Sequence, residues 1–128
     1  MEKPKLLNPL TLAFMGDSVY EVLVRQRVIE EMGSMSPKKL HTLTVERVKA
    51  SYQAEGYEKI KDMLSEEETE IYKRGRNSSS VTVPKSASIK EYRGATGIEA
   101  LFGFLYLEGN SERMKELFEV IWKDKAEE

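Results

Sequence analysis

The segment GATGIEALFGFLYL, Gly94 to Leu107, carries one charged residue, Glu99. A helix apolar nearly all the way round belongs at the centre of a fold, so this segment predicts a buried central helix. A second segment repeats the pattern. Between Asn8 and Val24 only Asp17 and Glu21 are charged, four positions apart and therefore one above the other on a helix. Burying an unpaired carboxylate costs several kcal/mol, so an acid in the middle of each apolar helix needs an explanation.

Helical signals recur along the chain and strand signals are nearly absent, which predicts an all-α fold. Asn8-Pro9 forms an N-cap and first-turn pair for a helix ending near Met32, with Gly33 beyond it. Ser36-Pro37 starts a second helix with Leu40, Leu43, Val45 and Val48 as its apolar positions. Gly56 is expected to break it, leaving a short helix over Tyr57 to Leu64. Ser65 with Glu68 reads as a capping box opening a helix through about Arg74. The polar stretch NSSSVTVPKSAS reads as a loop. A long helix from Ile89 to Leu107 follows, and Ser111 caps a last one with Met114, Leu117, Phe118, Ile121 and Trp122 on its buried stripe. With 128 residues and neither repeats nor a break in composition, one domain over 1–128 is expected.

The absence of cysteine excludes disulfides and thiolate zinc sites and suits a reducing cytoplasm. The uncharged stretches 8–16 and 100–107 fall far short of the roughly 18 residues of a membrane span, and the N-terminus lacks a secretory signal's apolar run. A net charge of −2 argues against a uniformly basic nucleic-acid coat. Locally, however, Lys73, Arg74, Arg76, Lys85, Lys90 and Arg93 face only one acid, Glu91.

Gly16, Gly97 and Gly103 each cost a helix about 1 kcal/mol relative to alanine. Close helix–helix approach at these glycines would account for them and bring Asp17 near Glu99. Two facing carboxylates repel unless a cation lies between them. With His41 the only histidine, oxygen ligation points to Mg²⁺, with Mn²⁺ as a substitute. Such an ion can activate water and clamp a phosphate oxygen, and basic residues nearby would contact a phosphate backbone. The alternative is that Asp17 and Glu99 pair with arginines such as Arg25, Arg27 or Arg93, and that the basic stretch is a solvated surface. Glu21 reads as structural, His41 as incidental, and Tyr20, Tyr92, Phe104 and Tyr106 as core or interface residues.

NPLTLAFMGDSVYE, YKRGRN with PKSAS, and YRGATGIEALFGFLYLEG occur in that order. Over positions 8–109 the chain thereby resembles the Mini-ribonuclease III branch of the ribonuclease III family. The resemblance implies a catalytic domain that forms a two-fold dimer through the first-motif helices. It assigns divalent-metal binding and catalysis to Asp17 and Glu99. Two further acids of the larger family members are replaced here by Ala13 and Thr96. No separate double-stranded-RNA-binding domain is expected, so RNA contacts fall to Lys73, Arg74, Arg76 and Lys85, with Lys38 and Lys39 as further candidates. The implied activity is cleavage of double-stranded RNA to 5′-phosphate products with short 3′ overhangs. Its implied substrate is the stems flanking 23S ribosomal RNA, with a large-subunit ribosomal protein as a stimulating partner. Two other classes fit the residues: a non-catalytic RNA-binding or ribosome-assembly module, and a helical protein-interaction domain.

Overall fold

The computed structural model describes residues 1–79 and 88–123. Among these every regular element is a helix. They are α1 (Pro9–Met32), α2 (Pro37–Val48), α3 (Ala50–Ile60), α4 (Glu66–Ser78), α5 (Ile89–Leu107) and α6 (Ser111–Trp122), with 3₁₀ turns at Pro4–Leu6 and Lys61–Met63. As its composition predicts, α5 is the central rod, packed against α1, α3, α4 and α6. Every residue from Leu101 to Leu105 is buried. Around it Leu12, Tyr20, Val24, Ile60, Ile98, Leu117 and Ile121 complete the core, with the Tyr20 ring edge-on to Phe102 at 5.2 Å and to Phe118 at 5.7 Å.

The helix ends follow local chemistry. Asn8 Oδ1 accepts from the Leu10 N–H (2.8 Å), and Ser36, Ser65 and Ser88 accept from the third backbone N–H beyond them. Ser65–Glu68 and Ser88–Glu91 are reciprocal capping boxes. Gly33 (φ 67°) and Gly109 (φ 76°) turn the chain after α1 and α5 in a conformation that suits glycine.

Three boundaries differ from expectation. The second helix ends at Val48, with Lys49 extended, and α3 runs straight through Gly56. Gly56 is helical because the side chain of Ile121 occupies the space of its missing Cβ, 2.9 Å from where that atom would lie. The cap of α6 is Asn110, whose side chain accepts from the Arg113 N–H, and Ser111 is already helical. Helix α4 continues to Ser78, into the start of the expected loop. The remainder of that loop, positions 80–87, lies outside the described residues.

Glu68 also ties α4 to α6. Its carboxylate accepts from Arg113 Nε (2.9 Å) and Nη2 (2.8 Å), while Nη2 also donates to the Met63 carbonyl (2.6 Å). Arg113 holds the Glu68 carboxyl below its ordinary value near 4.5. The stabilisation is therefore complete above that value and drains away as pH falls through the lowered one. Arg113→Ala should cost about 2 kcal/mol at pH 7, and thermal melts should show that deficit shrinking as pH falls below the ordinary carboxylate value.

Candidate active site

Helices α1 and α5 cross in near-contact at two glycines. A Cβ at Gly16 would lie 1.6 Å from the Glu99 carbonyl oxygen, and one at Gly103 would lie 1.9 Å from the Leu12 carbonyl oxygen. No larger residue fits at either place without parting the backbones. Farther along α5, Gly97 receives the Tyr72 ring of α4, and Gly75 of α4 packs onto Ala100, Gly97 and Thr96. Small residues on both sides of α5 thus draw three helices together around Glu99.

This crossing brings Asp17 and Glu99 into direct contact, as the sequence suggested. Their carboxyl groups share a hydrogen bond, which requires one of them to hold a proton. Burial, then the charge of Asp17, then that hydrogen bond push Glu99 up to about 8, so Glu99 is the protonated partner at neutral pH. The burial of the two acids is unequal. Asp17 is exposed and Glu99 half-buried, contrary to the expectation that both lie inside. The cause is that α1 buries one face only, through Leu12, Ala13, Gly16, Val19, Tyr20, Val24 and Val28. Its other side exposes Leu10 (43%), Phe14 (80%), Val22 (61%) and Ile29 (57%). One carboxylate is therefore held by the protein and the other is open to solvent.

Arginine pairing does not account for the acids. Arg25 pairs with Glu21 (3.3 Å), which gives Glu21 the structural role expected of it, and Arg27 pairs with Glu31 and Glu119. Among the described residues neither Asp17 nor Glu99 has an ion-pair partner. Nor does any group of three or more His, Cys, Asp or Glu residues gather there to hold a metal. The site thus offers two carboxylates, one able to release a proton. That donor set fits Mg²⁺, which takes one or two carboxylates and keeps several waters, better than a metal that needs a complete protein cage.

The neighbouring positions are settled by packing. Ala13 is buried, and the buried Thr96 hydroxyl donates to the Tyr92 carbonyl of its own helix (3.0 Å). Two residues beside Glu99 were not read from the sequence as site residues. Gln53 of α3 is buried beside Glu99, and its amide favours the ionised form of that acid. The Tyr20 hydroxyl is buried near Tyr52, Arg47 and Glu99, and burial raises its pKa far above the usual phenol value. The available signal for Gln53 was periodicity: with Gly56 and Ile60 it forms the buried stripe of α3, where a polar residue is out of place.

The basic candidates separate. Lys73 is exposed. Arg74 is half-buried and donates to the carbonyls of Lys5 (2.9 Å) and Leu7 (3.2 Å), holding the N-terminal turn on α4. Arg76 lies over the Tyr72 ring at 5.8 Å and hydrogen-bonds Asn77. These residues flank Gly75, the contact of α4 with the Glu99 segment of α5. Lys38, Lys39 and His41 are exposed on α2. Lys85 lies outside the described residues.

A helical bundle whose central rod joins its first helix to pair two carboxylates defines a class, and residues 10–110 match the ribonuclease III domain. Among relatives, the Mini-ribonuclease 3 of Thermoanaerobacter sp. (strain X514) is 47% identical over 89% of this chain and 80% of that protein. That of Staphylococcus aureus is 43% identical over 91% of this chain and 88% of its own length. A crystal structure of a Fusobacterium nucleatum protein superposes with a TM-score of 0.83 at 33% identity, covering 91% of this chain and 94% of the other. The chain belongs to the ribonuclease III family, in its Mini-ribonuclease 3 branch. It is an endoribonuclease.

Proposed function

We propose that the chain hydrolyses double-stranded RNA with Mg²⁺ held by Asp17 and Glu99. The observation that carries this reading is the carboxyl–carboxyl contact at the glycine crossing, with no cationic side chain on either acid among the described residues. When bound, Mg²⁺ supplies Lewis-acid polarisation of a phosphoryl oxygen and eases deprotonation of a water. Glu99, half-buried on α5 where α1 crosses it, would hold the ion as a carboxylate once its proton has passed to solvent. Asp17, on the solvent side, leaves an approach for a bulky phosphodiester. In the hydrolysis, water oxygen bonds to phosphorus, the 3′-oxygen leaves with a proton, and a 5′-phosphate remains. Lys73 and Arg76 on α4, and Lys85 beyond the described residues, supply contacts to phosphate. Arg74 serves by anchoring the N-terminal turn. A-form RNA is recognised chiefly by shape, phosphates and 2′-hydroxyls, so discrimination by base sequence should be weak. Incubating a labelled RNA duplex and its single strands with Mg²⁺ or chelator tests this. Cutting confined to duplex with Mg²⁺ is expected, and binding without cutting under all conditions would leave only an RNA-binding role.

The working form in this reading is a two-fold dimer joined through the exposed side of α1. Phe14, 80% exposed, stands on α1, which with Tyr106 of α5 and Met114 of α6 lines a shallow, mainly apolar groove through Met15, Ser18, Val19, Val22 and Leu23. A protruding apolar side chain and an apolar groove on one surface suit an isologous contact. Phe14→Glu should convert the protein to monomer in sedimentation velocity, and an unchanged dimer would place the interface elsewhere. Two sites across one valley would cut both strands of a duplex. The remaining assignments are the stems flanking 23S ribosomal RNA as substrate, a large-subunit ribosomal protein as stimulator, and the cytoplasm as location. They are carried by the family resemblance; in keeping with the last, no helix among the described residues is long and apolar enough to cross a membrane.

A further inference from the structure

We propose that Arg25 is an RNA-binding residue of the nuclease site: it takes a phosphate of the duplex to one side of the scissile bond, and Glu21 holds its guanidinium until RNA arrives. The inference rests on the reading of Asp17 and Glu99 given above.

Asp17, Glu21 and Arg25 are spaced by four in α1, which lays them along one stripe of the helix. The rise per residue sets Arg25 about 12 Å along the axis from Asp17. The stripe keeps to the flank of α1 that meets α2, where Arg25 lines a groove with Ile29, Leu40, His41 and Thr44. Val19 and Leu23, on the flank toward α6, line the apolar groove assigned above to the dimer contact. Arg25 therefore lies open on the side of Asp17, away from that groove. Its side chain is 58% exposed and pairs with Glu21 through Nε (3.3 Å). An exposed pair of this kind adds little to stability, so holding the fold is a weak reason for it. The contact through Nε leaves both Nη nitrogens, a donor pair that matches two oxygens of a phosphate. Arg27, the other arginine of α1, is turned to Glu31 and Glu119. Asp17 and Glu21 repel a phosphate chain, and beyond the metal ion α1 has only Arg25 on this flank to attract one.

The simpler role for Arg25 is to neutralise Glu21, and the two roles predict different measurements. Duplex binding is followed by fluorescence anisotropy in Mg²⁺, at several salt concentrations, on the Asp17→Asn background that should not cut. Adding Arg25→Ala should weaken binding about 10-fold and lower the slope of log affinity against log salt by about 1. Arg25→Lys should keep the slope and recover part of the affinity, because the charge remains and the paired donors do not. Arg25→Ala combined with Glu21→Gln should still bind weakly and with the reduced slope, since the phosphate contact is missing. Recovery of the parent's affinity and slope in that combination would leave neutralisation as the whole role and overturn the proposal. An unchanged slope for Arg25→Ala would overturn it equally. With Asp17 restored, Arg25→Ala should raise KM for the duplex about 10-fold and keep kcat within about twofold. Cutting by Asp17→Asn itself would instead remove the underlying reading of the site.

Discussion

Asp17→Asn is expected to abolish cleavage of duplex RNA, by about 10³-fold or more, without unfolding the protein. Asparagine reproduces the shape of aspartate at an exposed position of α1, and no core contact depends on the charge. What disappears is half the negative charge that attracts the ion. In the metal-free protein Asp17 disfavours ionisation of Glu99, so neutralising it should leave the melting temperature in chelator unchanged or higher. Loss of activity together with equal or greater stability marks a group kept for chemistry. Thermal melts in chelator and initial rates on a labelled duplex measure both halves.

Gly16→Ala should be the most damaging conservative substitution on α1. In an open helix this change gains about 1 kcal/mol of helical preference. Here the added carbon would sit 1.6 Å from the Glu99 carbonyl oxygen, against backbone that cannot rotate aside, so α1 and α5 must separate. Overpacking of this kind costs about 3 kcal/mol. Gly103→Ala meets the Leu12 carbonyl oxygen at 1.9 Å and should behave alike. The movement also draws Asp17 away from Glu99, so the folded fraction of Gly16→Ala should cleave slowly as well. Gly56→Ala is the contrast: its carbon would meet the Ile121 side chain at 2.9 Å rather than backbone, and its cost should be smaller. Urea unfolding of the three variants measures the ranking; equal stabilities would refute the crossing as the feature that pairs the acids.

Much of this molecule was legible in its residues because the signals were local. Asn8-Pro9, Ser36-Pro37 and Ser65 with Glu68 open helices because side-chain oxygens meet free backbone N–H groups within three residues. The apolar run around Glu99 predicted the central rod because no single face could account for it. The misplaced breaks have the opposite origin. Nothing near Lys49 marks a helix end, and the carbonyl at Val48 is satisfied by Gln53, a partner beyond the break. Gly56 reads as a stop until Ile121, remote in sequence, is seen to fill its place. Asp17 and Glu99 were each recognisable as acids out of place. Which of them faces solvent was not, because that depends on how α1 divides its apolar residues between the core and an outer surface. Arg74 looked like any other base in its run, and its contacts to Lys5 and Leu7 come from a turn far back in the chain.

Asp17 and Glu99 together are expected to hold one hard dication, and Mn²⁺ binding is read from the loss of the free ion's paramagnetic resonance signal. Wild type should take up one Mn²⁺ per chain in competition with Mg²⁺, releasing a proton near pH 7 because Glu99 begins protonated. Asp17→Asn and Glu99→Gln should each lose that uptake. Wild-type stoichiometry and affinity in either variant would overturn metal binding by this pair.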